Sequence, residues 1–135
     1  MLVDSSVWIA YLRGDKLIEV AQLTEALEQG NPVWLAPPIL QEVLQAADSP
    51  DRFNRWDRVL GELPMVIASD IREAAHSAAH LYARCRWAGV APRSANHCLI
   101  AMHAIFAGMP LLHRDRDFGL IAGVEPQLML VAVRQ

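Results

Sequence analysis

Lysine is nearly missing from this chain: Lys16 is the only one, against eleven arginines. Arginine makes the better fork for phosphate and stacks on bases, although solvated helix faces account for most such residues. No surplus of positive charge comes with them. The formal net charge is −3 at pH 7, which excludes the broadly basic surface of a protein that coats nucleic acid and leaves an RNA substrate open. Cysteine is scarce too. Cys85 and Cys98 have neither the CxxC spacing of a zinc site nor the density of a secreted disulfide scaffold, so they read as buried thiols. No run approaches the ~18 apolar residues of a membrane span. Met1-Leu2-Val3-Asp4 also lacks the basic region and cleavage site of a signal peptide, and a cytoplasmic location without membrane attachment is expected.

What the chain does have is apolar residues, 53% of 135, with only 20% charged, which excludes disorder and fits one domain spanning residues 1–135. Short apolar runs at Leu2-Val3, Val33-Trp34-Leu35, Met65-Val66-Ile67, Leu111-Leu112 and 128–131 read as strands. Between them lie stretches of helical periodicity. These are 7–12 ending at Gly14, 17–28 ending before Gly30, a helix opened by Pro37-Pro38, the amphipathic 51–60, a long helix capped by Ser69, and an almost wholly apolar helix capped by Ser94. Strands alternating with helices predict an α/β fold of three layers, α/β/α, around a short-stranded, mostly parallel central sheet.

In such sheets ligands bind beyond the carboxyl ends of the strands. Two strands run directly into acids here, Val3 into Asp4 and Leu111-Leu112 into Asp115. Glu42, on the helix after the second strand, and position 97, in the first turn after Ser94, are expected to converge on the same edge. Clustered carboxylates raise one another's pKa and usually persist where a cation neutralises them, and hard oxygen ligands favour Mg²⁺ or Mn²⁺. Taken singly, Asp4 and Asp115 could equally be turn or helix-cap residues and Glu42 a solvated one.

Four segments carry a resemblance: Val3-Asp4-Ser5-Ser6-Val7-Trp8-Ile9, residues 38–45 around Glu42, residues 93–101 around His97, and residues 111–118 around Asp115. Together, in this order and spacing, the chain resembles the PIN-domain ribonucleases of the VapC toxin type along its full length. The resemblance implies a Mg²⁺- or Mn²⁺-dependent endoribonuclease, the toxin of a toxin–antitoxin pair. It would cut RNA, bind a VapB-type antitoxin and form a homodimer. Asp4, Glu42 and Asp115 match the family's metal-binding acids, and Asp117 matches a further acid, with the N-cap of the final helix as its rival role. Ser6 matches a hydroxyl residue that supports the first acid. Arg114, beside Asp115, is a candidate to face a phosphate.

The departure is His97, which stands where the family has an Asp. At a helix N-terminus a neutral imidazole is preferred to a charged one, and it suits Mn²⁺ better than Mg²⁺. Three readings stay open: a weakened or inactive nuclease, a variant in which His97 is itself a ligand and catalytic residue, and a site in which Asn96 takes over. The alternative class is a PIN-fold protein that grips RNA or an antitoxin without cutting. A phosphoacceptor receiver would need a lysine at the end of a late strand, and a haloacid-dehalogenase-type phosphatase an acid where Ser6 stands. His76 and His80, spaced i,i+4, and His103 read as surface or core histidines. Trp8, Trp34, Trp56 and Trp87 read as packing residues.

Overall fold

The computed structural model describes residues 1–133. In chain order it contains β1 (Leu2–Val3), α1 (Ser5–Arg13), α2 (Ile18–Glu28), α3 (Pro37–Gln45), α4 (Pro50–Gly61), α5 (Ile71–Trp87), α6 (Ala95–Ala107), β2 (Leu111–Leu112) and α7 (Arg116–Val124). No helix among the described residues is long and apolar enough to cross a membrane.

β1 and β2 lie side by side in parallel, Leu2 opposite Leu111 and Val3 opposite Leu112. The other three expected strands contract to single parallel bridges, Leu2 to Trp34, Leu35 to Met65 and Leu111 to Leu130. Across the sheet the order is therefore Met65, Trp34-Leu35, β1, β2, Leu130. Proline explains two of the contractions, because Pro32 and Pro37 bracket the Trp34 run, Pro64 precedes Met65, and a proline has no N–H to extend a ladder. Successive strand residues point to opposite faces, and Leu2, Val3, Leu111 and Leu112 are all fully buried. Helices thus cover both sides of this sheet, which gives the three-layer arrangement.

Local chemistry sets the helix ends. Gly14 (φ 80°) closes α1 and Gly108 (φ 64°) closes α6 in the left-handed conformation. Pro37 opens α3, and Ser94 caps α6 by accepting the Asn96 N–H. The long helix starts one residue later than expected, since Asp70 rather than Ser69 accepts the Glu73 N–H. α6 buries Cys98, Ile100, Ala101, Met102, His103 and Ala104, and its His103 is satisfied by the Leu99 carbonyl at 2.8 Å. Cys85 and Cys98 are buried free thiols, and burial pushes the Cys98 thiol up to about 12. Trp8 and Trp56 are core residues, whereas Trp87 is 74% exposed and meets only the edge of His80. His76 and His80 are both exposed on α5.

At its far end α7 is tied to α5 by Arg84 donating to Glu125 at 2.8 Å. Burial by itself would raise the Glu125 carboxyl, but Arg84 and the Gln127 N–H hold it below the usual carboxylate range. A depressed carboxyl stabilises the fold above its unfolded value, and that stability is lost as pH falls through its folded value. We expect Glu125→Gln to cost about 1 kcal/mol at pH 7, with the gap closing as urea unfolding is repeated below pH 4. An unchanged gap at low pH would mean the ion pair contributes nothing.

Candidate metal centre

The sheet order reverses between β1 and β2, and such a switch point opens a crevice beyond the carboxyl ends of the two strands. The Asp4 N–H donates to the Leu112 carbonyl at 2.9 Å, so the two strand ends are joined there. Asp4 caps α1. Its Oδ2 accepts the Ser6 N–H at 3.1 Å and the Ser6 hydroxyl at 2.5 Å. The same Ser6 Oγ accepts the Arg114 N–H at 3.2 Å, stitching α1 to the loop after β2. Asp4 Oδ1 is buried and accepts nothing.

Glu42 reaches this edge from the middle of α3. Burial first, and then the charge of Asp4, raise its carboxyl above the usual range, with His97, Asn96 and Ser5 pulling it partly back. Its Oε1 is likewise buried without a hydrogen bond.

His97, the third residue of α6, is buried between two further acids. Its Nδ1 lies 2.8 Å from Asp117 Oδ2 and its Nε2 3.7 Å from Asp115 Oδ2. A carboxylate only accepts, so Nδ1 carries the hydrogen of the shorter contact and Nε2 is the ring's outward nitrogen. Phe118 stands between two imidazoles, 4.8 Å from the ring of His97 and 5.2 Å from that of His113. Burial lowers the His113 imidazole, whose Nδ1 accepts the Asp115 N–H.

Asp115 is the N-cap of α7, with Oδ1 accepting the Asp117 N–H at 2.9 Å. The cap expected as a rival role for Asp117 therefore belongs to Asp115. Asp117 instead lies inside the first turn, 1% exposed, where its Oδ2 also accepts the N–H groups of Arg93 at 2.8 Å and Ser94 at 3.4 Å. Burial would raise this carboxyl, but those donors together with His97 hold it below the usual range. Its Oδ1 has no hydrogen-bond partner.

The acids thus fall into two neighbourhoods that meet at His97. Ligand atoms of His97, Asp115 and Asp117 all lie within 4.8 Å of one another, while Asp4 and Glu42 act on each other by charge. Three buried carboxylate oxygens without donors, Asp4 Oδ1, Glu42 Oε1 and Asp117 Oδ1, are the unmet demand of this edge. Buried oxygens left bare are costly and uncommon. Hard anionic donors of this kind suit a divalent cation such as Mg²⁺ or Mn²⁺.

A family model described as PIN domain matches residues 1–124. The chain is 33% identical over 125 residues to VapC ribonuclease Mb1587 of Mycobacterium bovis, with 92% of both chains covered. Ribonuclease VapC11 of Mycobacterium tuberculosis matches with the same identity and coverage. This chain belongs to the PIN-domain family, among the VapC ribonucleases. The fold is also that of a chain in the crystal structure of VapBC2 from Rickettsia felis bound to a DNA fragment from their promoter. That match has a TM-score of 0.73 at 18% identity and covers 96% of each chain.

Sequence reasoning missed two residues of this PIN-domain edge. Arg93 and His113 both touch the acids, and the available signal was their adjacency to Ser94 and to Arg114-Asp115. The Arg114 Nε pairs with Glu19 on α2 at 3.5 Å. Asn96 faces Glu42, whereas His97 is the residue between Asp115 and Asp117.

Asp117 and Glu42 should separate by urea unfolding at pH 7 in EDTA. Asp117→Ala strands the buried His97 ring N–H and two part-buried backbone N–H donors, and should cost about 2–4 kcal/mol. Glu42→Gln removes a partly buried charge from beside Asp4 while keeping a side-chain oxygen for Asn96 and Ser5, and should leave the metal-free protein as stable or more so. Equal losses from both would erase the distinction between structural and cation-seeking carboxylates.

Proposed function

We propose that residues 1–135 form one PIN domain that cleaves RNA internally as a Mg²⁺- or Mn²⁺-dependent endoribonuclease, the toxin of a VapBC-type toxin–antitoxin pair. In this reading it works in the cytoplasm as a homodimer and is restrained by a VapB-type antitoxin. Asp4, Glu42, Asp115 and Asp117 hold the cation, with His97 at the position that departs from the family. The observation that carries the reading is the set of three bare, buried carboxylate oxygens at the switch point. Its support from outside the chain is the identity to relatives named ribonucleases.

A bound divalent cation supplies Lewis acidity that activates water and steadies charge developing on a phosphodiester. The chain's own contribution is preorganisation. Ser6 engages one oxygen of Asp4 and leaves the other free. The Arg93 and Ser94 N–H groups and His97 do the same for Asp117. Burial of Asp4 and Asp117 keeps water from competing for these oxygens. Phe118 buttresses His97, so its ring is held with Nε2 toward Asp115.

His97 decides how well this edge works. A carboxylate at position 97 would add a full negative charge beside Asp115 and Asp117, whereas the imidazole adds a softer donor that Mn²⁺ accepts more readily than Mg²⁺. The second reading, a protein that grips RNA or antitoxin without cutting, draws on the same residue, since His97 satisfies Asp117 Oδ2 without any ion.

Cleavage of total RNA by this chain and by His97→Asp, each in Mg²⁺ and in Mn²⁺, separates the two. The nuclease reading expects His97→Asp to be at least tenfold faster in Mg²⁺, a transition-state gain of about 1.4 kcal/mol or more, with a smaller gain in Mn²⁺. If His97→Asp is as inert as the parent in both metals, the binding reading replaces it.

A further inference from the structure

The acidic edge already carries a cation of the chain's own. Arg93 lies just ahead of α6, with one guanidinium nitrogen 3.3 Å from Asp115 Oδ1 and its Nε 3.8 Å from Asp117 Oδ1. That Asp117 oxygen is the one without a hydrogen bond. Both contacts are longer than the ~2.7–2.9 Å of a tight charge-assisted hydrogen bond, and the Arg93 side chain is 62% exposed. The guanidinium therefore neutralises the pair without being locked to it.

Its backbone behaves differently. The Arg93 N–H is fixed on Asp117 Oδ2 at 2.8 Å, so the base of the side chain is anchored beside the carboxylates while its charged end stands in solvent. Of the neighbouring arginines, Arg114 is engaged by Glu19. Among the described residues Arg93 is the arginine whose guanidinium pairs with both Asp115 and Asp117.

We infer that Arg93 is an exchangeable cation: it neutralises Asp115 and Asp117 when no divalent ion is present, and turns to a phosphate of the RNA strand when an ion takes its place. The second half rests on the nuclease reading, and the first does not. A guanidinium and a divalent ion cannot both neutralise the same oxygens, because each repels the other at this range. Ion binding therefore releases a planar fork of donors at the rim of the site, and phosphate is the group such a fork matches. Arg93 on this account is a residue that couples metal uptake to substrate binding.

Two titrations test it on the intact chain. Calorimetry with MnCl₂ alone should show Arg93→Ala binding Mn²⁺ about fivefold more tightly than the parent. Arg93→Lys, which keeps the charge but loses the fork, should fall between them. Fluorescence anisotropy with a labelled RNA oligonucleotide, checked on a gel to be intact, should show Arg93→Ala weakened several-fold in Mn²⁺ and unchanged in EDTA. Equal or weaker Mn²⁺ binding by Arg93→Ala overturns the exchange. An RNA defect of the same size in EDTA overturns the coupling, because Arg93 would then bind phosphate whether or not an ion is present. Should no variant cut RNA while Arg93→Ala still takes up Mn²⁺ more tightly, the nuclease reading falls and the exchange stands.

Discussion

The pairing of β1 with β2 is the constraint on which the rest depends. Leu2 and Val3 sit opposite Leu111 and Leu112, joining the start of the chain to a segment more than a hundred residues later. Both strands are two residues long, so the ladder itself contributes few hydrogen bonds and the register is held by burial of all four side chains. A slip of one residue would exchange the two buried faces and set each side chain against the other layer of helices. With the register fixed, Asp4 and the loop bearing Asp115 leave the sheet together, and the Asp4 N–H on the Leu112 carbonyl leaves them little freedom to separate.

Helix starts then do a second job at that edge. Asp4, Ser94 and Asp115 are all N-caps, so each acid or cap is oriented by backbone N–H groups before any ligand arrives. Cap chemistry takes one oxygen of a carboxylate and leaves the other available, as Oδ2 and Oδ1 of Asp4 show. Asp117 extends this economy by joining the starts of α6 and α7 through Arg93, Ser94 and His97. Glu42 caps no helix, and the side chains of Asn96 and Ser5 are its hydrogen-bonding neighbours. Its raised carboxyl and bare Oε1 mark it as the acid whose place is hardest to explain by folding alone.

Features decided within a few residues were legible in the sequence. The cap at Ser94, the proline start of α3 and the glycine stop at 14 depend on local φ/ψ preferences and nearby N–H groups. Strand length was not legible, because an apolar triplet such as Met65-Val66-Ile67 pairs only as far as its neighbour's backbone extends, and Ile67 ends up exposed. Among the site residues, Asp4, Glu42, His97, Asp115 and Asp117 could be gathered from strand ends and motif spacing. Their division into a tight trio around His97 and a charge-coupled pair could not, since it depends on which way an imidazole turns between helices distant in sequence. Arg93 and Arg114 show the same limit: long side chains choose partners across the fold, and adjacency in sequence names neither Asp117 for the one nor Glu19 for the other.

A divalent cation shared by the switch-point carboxylates is what the proposed function requires. Crystals of this chain soaked in MnCl₂, with diffraction collected at the manganese absorption edge, address it most directly. The account predicts an anomalous peak coordinated by Asp4 together with at least one of Glu42, Asp115 and Asp117. No peak at saturating Mn²⁺, or a peak that touches none of these oxygens, would contradict it.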